Sequence, residues 1–327
     1  MAIKKVLVTR KIPKNGIDLL RDAGFEVTLW EKEFPMEPEE LITSAKEHHA
    51  LLCSSWDKLD ARFFREASHL DIVSQFAVGY DNISISEATK HHIAVANAPG
   101  VLSNATADIA FGLMIAVSRN MFQNHKIIGS DKWKHNDLTA NLGIELNDKT
   151  VGIFGLGQIG HLMAKKCVGA YNMKVIYHNR SRNVQAEREL GAKYVEFGEL
   201  LSQSDVISVH SNLSPETANT FDKRAFGQMR SQAIFINTAR GPIHNEKDLI
   251  VALEDGTIWG AGLDVTDPEP MNADNPLLGM PNVCVLPHIG SATVTARLGM
   301  SEVAARNILQ FYGEMPVENL LNREVMS

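Results

Sequence analysis

The chain has 327 residues, 32 basic and 39 acidic, with a net charge of −7. At roughly 150 residues per domain this length suggests about two domains, and the acidic balance argues against a nucleic-acid partner. Hydrophobic residues are 44% and charged residues 22%, a globular mixture, and the longest apolar run, Ile109–Val117, is too short to span a bilayer.

The N-terminus, Met1 to Val8, carries no signal-peptide core and reads directly as a strand over Lys5–Val8. No membrane and a cytoplasmic location are the expectation. Helical spacing over Gly16–Ala23 leads into strand character at Phe25–Leu29. Pro38–Lys46 is predicted as a helix opened by proline. Ala50–Cys53 is a strand, Ala61–Glu66 a helix, and Asp71–Val78 and Ile93–Ala96 are two further strands. The pairs His48-His49 and His91-His92 read as surface residues. Pro99-Gly100 then punctuates the chain. Ser103–Met121 is apolar on nearly all sides and predicts a buried helix between the domains. A polar stretch, Gly129–Asp148, holds Trp133. A second strand–helix series runs from Thr150 to about His288, and Ser291–Tyr312 forms a last helix. Such alternation predicts parallel sheets covered by helices on both faces. Cys53, Cys167 and Cys284 are far apart and odd in number, without metal or disulfide spacing. They read as reduced, buried thiols.

The sharpest local signal is Gly155-Leu-Gly157-Gln-Ile-Gly160. It follows a strand, Val151–Phe154, and opens a helix, Gln158–Val168, which is the context a dinucleotide-binding glycine motif needs. Gly155 makes the tight turn, Gly157 admits a pyrophosphate and Gly160 lets helix and strand pack closely. The N–H groups at the helix start, Gln158 and Ile159, face the phosphates. The next strand, Met173–His178, is where a ribose-binding acid is expected. Instead it ends in Asn179-Arg180-Ser181-Arg182, with no acid before Glu187. Arginine pairs with a 2′-phosphate that a carboxylate repels, so NADP is read as the cofactor, with NAD the weaker.

Three later strands end in polar loops, where ligands bind in such folds. Ala233–Asn237 leads into Thr238-Ala239-Arg240, Gly260–Leu263 into Asp264 and on to Pro268-Glu269-Pro270, and Val283–Leu286 into Pro287-His288-Ile289-Gly290-Ser291. By residue type, Arg240 holds a carboxylate and polarises a ketone. His288 is suited to proton donation, and Glu269 to orienting its imidazole.

Taken together, these motifs resemble the D-isomer-specific 2-hydroxyacid dehydrogenases over nearly the whole chain. Val78-Gly79-Tyr80-Asp81-Asn82 is similar to that family's substrate loop. Asn97 to Asp108 is similar to its interdomain hinge, in the form found in the glyoxylate/hydroxypyruvate reductase branch. The fold implied is α/β with two doubly wound parallel-sheet domains. One is a flavodoxin-like substrate domain over residues 1–98 and 290–327. The other is a Rossmann dinucleotide-binding domain over residues 99–289. The resemblance implies catalysis by Arg240, Glu269 and His288, with Val78, Gly79, Arg240 and Ser291 on the substrate. It places Thr106, Thr238, Ala239, Asp264, His288 and Gly290 on the cofactor beside the glycine motif and Asn179-Arg180-Ser181. It also implies a homodimer. The implied reaction is hydride transfer from NADPH to a small 2-oxo acid such as glyoxylate or hydroxypyruvate. A 2-ketogluconate-type reductase shares every catalytic residue, and a dinucleotide-sensing scaffold or corepressor is the non-enzymatic alternative. Two departures stand out: Asn212 where the family more often has proline, and Asp108 where many relatives carry glutamate.

Overall fold

A computed structural model describes residues 3–135 and 137–326. Met1 and Ala2 of the first segment, Asn136 of the polar stretch and Ser327 lie outside the described residues. The chain divides into two compact units, Met1–Leu102 with Ala292–Ser327, and Ser103–Ser291.

The first unit alternates β1 (Lys5–Val8), α1 (Lys14–Asp22), β2 (Glu26–Leu29), α2 (Pro38–Ala45), β3 (Ala50–Cys53), α3 (Ala61–Glu66), β4 (Ile72–Gln75), α4 (Ile85–Lys90) and β5 (Ala94–Ala96). All strands pair in parallel, in the order β2-β1-β3-β4-β5. Strands β3, β4 and β5 are buried along their whole length, as expected when helices cover both faces. The chain leaves β1 toward β2 on one side and β3 on the other. The crevice at that reversal lies beyond Val8 and Cys53, and such switch points are where ligands sit in open parallel sheets.

The second unit holds α5 (Ser103–Ser118), α6 (Met121–Gly129), β6 (Thr150–Phe154), α7 (Gln158–Tyr171), β7 (Lys174–His178), α8 (Val184–Leu190), β8 (Lys193–Tyr194), α9 (Phe197–Gln203), β9 (Val206–Val209), α10 (Lys223–Gln228), β10 (Ile234–Asn237), α11 (Glu246–Glu254), β11 (Gly260–Leu263) and β12 (Val283–Val285). Its sheet runs β12-β11-β10-β9-β6-β7-β8, again parallel throughout. The reversal falls between β6 and β9, the dinucleotide-binding order extended by a strand. The last helix, α12 (Val294–Tyr312), returns to the first unit. There Ser74 Oγ donates to Ala304 O at 2.8 Å, and Asn307 Nδ2 donates to Ser74 Oγ at 3.2 Å.

Some elements differ from the sequence expectation. The strand predicted over Asp71–Val78 stops at Gln75, because the backbone beyond it turns into a loop held by side chains. The helix predicted to Met121 ends at Ser118. Ile144 N takes the Ser118 carbonyl at 2.8 Å, and Asn120 turns left-handed at φ 49° before α6 begins. The apolar face of α5 packs into the core of its own unit, with Ala110, Leu113, Met114 and Val117 against Val151, Ile153 and Ile236. His48 is not a surface residue. It is buried, with Nδ1 against Ser44 O at 2.7 Å and Nε2 against Thr28 Oγ1 at 2.8 Å, a satisfied structural histidine. The three cysteines are free and buried. No helix among the described residues is long and apolar enough to cross a membrane.

Candidate active site

The glycine loop joins β6 to α7. Gly155 has φ +97°, and a Cβ there would lie 2.5 Å from Ser211 N and 2.7 Å from His210 C. Both conformation and space demand glycine. A Cβ on Gly160 would drive into Gly155 O and come within 2.9 Å of Ile153 Cγ2. Gly157, the residue capping α7, is different: a Cβ there meets nothing within 4 Å. The protein does not fill the space above Gly157, and a pyrophosphate at the helix N-terminus would.

The loop is braced from β7. Asn179 Oδ1 accepts from Leu156 N at 2.6 Å, and Asn183 Nδ2 donates to Leu156 O at 2.9 Å. Arg182 is held by Glu187 through two hydrogen bonds, Nε to Oε1 at 2.9 Å and Nη2 to Oε2 at 2.6 Å. Glu187 also accepts from Tyr177 Oη at 2.7 Å, and these bonds hold its carboxyl below the usual range. Arg180 and Ser181 stay exposed in the same loop.

Across the reversal, the ends of β9 and β10 present unmatched polar atoms. His210 Nε2 meets Ser208 Oγ at 2.8 Å, but its Nδ1, Ser211 Oγ and Thr238 Oγ1 are buried without a partner among the described residues. Buried polar groups are ordinarily hydrogen-bonded, so orphans gathered beside a glycine loop fit a bound polar ligand. The cradle over Gly157 and these atoms together fit a dinucleotide.

β10, β11 and β12 are neighbours, so the loops after them lie within ~10 Å at strand spacing. Buried Asn237 organises the first loop. Its Oδ1 accepts from Ala239 N at 2.9 Å, and its Nδ2 donates to Arg240 O at 2.8 Å and to His244 Nδ1 at 3.0 Å. Arg240 Nη1 donates to Ala239 O at 2.7 Å. After β11, the buried Asp264 carboxylate accepts from Ile289 N at 2.8 Å and Gly290 N at 2.7 Å. Burial pushes its carboxyl up, and the two N–H groups oppose that rise. Asp264 therefore fixes the loop bearing His288, whose φ is +52°. Gly290 fits between Asp264 and Thr106, where a Cβ would lie 3.0 Å from Asp264 Oδ2 and 3.2 Å from Thr106 Cγ2. Glu269 Oε1 stands 2.5 Å from His288 Nδ1. With Glu269 on Nδ1, Nε2 is the ring nitrogen left for chemistry.

Arg240, Asp264, Glu269 and His288 thus share one edge of one sheet, with Thr106 and Gly290 beside Asp264. Ser291 is the last residue of this unit, partly exposed. Val78 and Gly79 belong to the first unit, in the loop after β4. Sequence reasoning missed Asn237, His210, Ser211 and His244. For Asn237, His210 and Ser211 the signal is position at a strand end; His244, in the turn before α11, offers none.

A doubly wound sheet with this glycine loop and a carboxylate–histidine pair defines a nicotinamide-dinucleotide-dependent oxidoreductase. Residues 111–290 match the family described as D-isomer specific 2-hydroxyacid dehydrogenase, NAD binding domain. The chain is 43% identical over 328 aligned residues to a glyoxylate reductase of Thermococcus litoralis, covering 99% of this chain and 98% of that protein. Among solved structures, a glyoxylate reductase from Paecilomyes thermophila superposes with a TM-score of 0.88 at 30% identity, covering 99% of this chain and 100% of that one. An NADPH-dependent glyoxylate/hydroxypyruvate reductase from Sinorhizobium meliloti, in complex with NADP and malonate, superposes with a TM-score of 0.84 at 28% identity, covering 98% and 97%. The chain belongs to the D-isomer-specific 2-hydroxyacid dehydrogenases.

Proposed function

We propose that this chain reduces small 2-oxo acids of the glyoxylate and hydroxypyruvate kind, with NADPH favoured over NADH. The observation that carries this reading is the Glu269–His288 pair at 2.5 Å, on the strand edge that also bears Arg240. Binding a dinucleotide alone requires neither the pair nor Arg240, which disfavours a pure sensing scaffold.

Bound NADPH supplies the hydride. Arg240, a planar fixed cation, holds the substrate carboxylate and polarises the ketone oxygen. In the first unit, the N–H groups at Val78 and Gly79 are read as donors to a substrate carboxylate. His288 gives the Nε2 proton to the carbonyl oxygen as hydride reaches the carbon, while Glu269 holds Nδ1 and keeps the ring aimed. The His288 side chain is 36% exposed, so water can return the proton.

For cofactor choice, Arg182 is engaged by Glu187, which leaves Arg180 and Ser181 as the exposed partners for a 2′-phosphate. The NADP in the Sinorhizobium relative agrees with this choice. Homodimerisation is supported by α6, which buries no residue of its own, and by exposed Trp133, Leu138 and Leu142 in the segment after it. Exposed apolar side chains of this size are of the kind that partners cover.

The test is steady-state turnover of NADPH and NADH against glyoxylate, hydroxypyruvate and 2-ketogluconate. Glyoxylate and hydroxypyruvate are expected to give the highest kcat/KM. No turnover with any 2-oxo acid overturns the reading, and a clear preference for 2-ketogluconate reassigns the substrate.

A further inference from the structure

The loop after β4 has a feature that its backbone alone does not explain. Three successive carbonyls are each tied down by a donor from within the first unit. Ala77 O accepts from Ala98 N at 2.9 Å, Val78 O from Asn97 Nδ2 at 2.8 Å, and Gly79 O from Gln75 Nε2 at 3.1 Å. In a planar trans peptide the carbonyl and the following N–H point in opposite directions. The N–H groups of Val78, Gly79 and Tyr80 are therefore turned away from those three donors. None of the three makes a hydrogen bond among the described residues.

The two side-chain donors are themselves locked. Gln75 is fully buried. Its second Nε2 hydrogen goes to Asn82 Oδ1 at 2.9 Å, and its Oε1 accepts from Cys53 Sγ at 3.0 Å. Because Gly79 O can only accept, the Gln75 amide has one permitted orientation. That orientation sets Asn82, whose Nδ2 donates to Ser54 O at 3.1 Å and Asp57 O at 2.8 Å. Asp57 in turn accepts from Ser54 N at 2.7 Å and Thr9 Oγ1 at 2.6 Å. Asn97 is anchored from the other side, its carbonyl accepting from Asn307 Nδ2 of α12 at 2.9 Å. The network spans the carboxyl ends of β1, β3, β4 and β5.

We propose that Gln75 and Asn97 are positioning residues for the substrate carboxylate, holding the Val78 and Gly79 carbonyls inward so that the N–H of Gly79, and with it that of Tyr80, faces the anion beside the N–H of Val78. This rests on the carboxylate-binding role given above to the Val78–Gly79 loop. Without either amide, the corresponding peptide is free to rotate and present a carbonyl oxygen, which repels a carboxylate.

The test uses Gln75→Met, which keeps length and removes the donor, and Asn97→Ala as an independent second variant. The probe is oxamate, a non-reacting 2-oxo acid analogue, titrated into the enzyme–NADPH complex. Losing one charge-assisted hydrogen bond should raise the oxamate Kd and the glyoxylate KM roughly ten- to hundredfold. The kcat at saturation and the NADPH Kd should change little. A folded variant that binds oxamate as wild type does overturns the proposal. So does a loss that falls equally on NADPH, which makes the amides mere scaffolding. If one variant fails to fold, the other decides. If wild-type enzyme binds NADPH but not oxamate, the parent reading of the loop falls, and this proposal with it.

Discussion

Glu269 occupies the Nδ1 side of His288, so the ring can serve a substrate only through Nε2. Removing the ring removes the proton donor but leaves the glycine loop untouched. His288→Ala is therefore expected to lower kcat by about 10²–10⁴, the range of a positioned acid–base group, with the NADPH Kd nearly unchanged by fluorescence titration. Near-native kcat would take His288 out of the mechanism. Cofactor choice is also settled by a few side chains in one loop. In Asn179→Asp with Arg180→Ala, one Asp oxygen keeps the Leu156 N–H bond now made by Asn179 Oδ1. The other gives the ribose an acceptor and repels a phosphate. The ratio of kcat/KM for NADPH over NADH, expected at about tenfold or more in wild type from one exposed charged pair, should invert. Equal use of the two cofactors by wild type would show that Arg180 points into solvent. Residues whose chemistry is rare at a strand end, such as Arg240, Glu269 and His288, are visible in sequence. Asp264 is visible as an acid, but its bonds to Ile289 and Gly290 are not, because partners 25 and 26 positions away are brought close only by the β11–β12 pairing. Gln75, Asn97 and Asn237 are less visible still, since their work is to hold backbone.

At the scale of elements, the strand–turn–helix of β6 and α7 stands apart, because local sequence determined almost all of it. Glycines at the turn, a β-branched strand and an amphipathic helix agree, and agreement between levels is what makes a segment legible. The exceptions are where tertiary bonds override local signal. Ser118 ends α5 because Ile144 claims its carbonyl, and β4 ends where Gln75 begins to hold the next loop. The turn also makes a firm prediction. Gly155→Ala places a methyl against the Ser211 and His210 backbone and forces an alanine into φ +97°. Strain of this kind costs on the order of 1–3 kcal/mol, before any clash. Thermal unfolding should shift down by several degrees, and the dinucleotide Kd should rise more than tenfold as the loop widens. An alanine variant with native Tm and native cofactor affinity would mean that the turn relaxes freely.

On the scale of the whole molecule, alternation of strands and helices implied two parallel sheets, yet not their strand order. That order depends on which side of the first strand each crossover lands, and β3 and β9 both cross to the far side of it. Nor did periodicity alone return α12 to the first unit; buried Ser74 and Asn307 show the bond that holds it there. The second unit also contains two histidines whose surroundings no local pattern announces: His244 is buried, and His210 is half-buried with its Nδ1 shut from solvent. Desolvation pushes His210 down to about 3 and His244 down to about 4, against about 6.5 in an unfolded chain. The unfolded state therefore binds more protons than the folded state below pH 6.5, and stability falls as pH falls. Above pH 6.5 both forms are neutral and the effect vanishes. At pH 4.5, two pH units below the unfolded value, each histidine costs about 2–3 kcal/mol at 1.36 kcal/mol per unit. Asp57 and Asp264 act in the opposite sense, because burial raises their carboxyls; their contribution is present in acid and is lost as pH rises through their folded values. Comparison of variants separates the two. His210→Asn with His244→Asn removes both titrating rings, and Asn at 244 retains an acceptor for Asn237. Calorimetric Tm measured from pH 7.5 to 4.5 should drop steeply in wild type below 6.5, and less steeply in the double variant. Parallel profiles would mean that both rings are protonated or hydrated in the folded protein, contrary to the shielding of His210 Nδ1 and His244 Nε2.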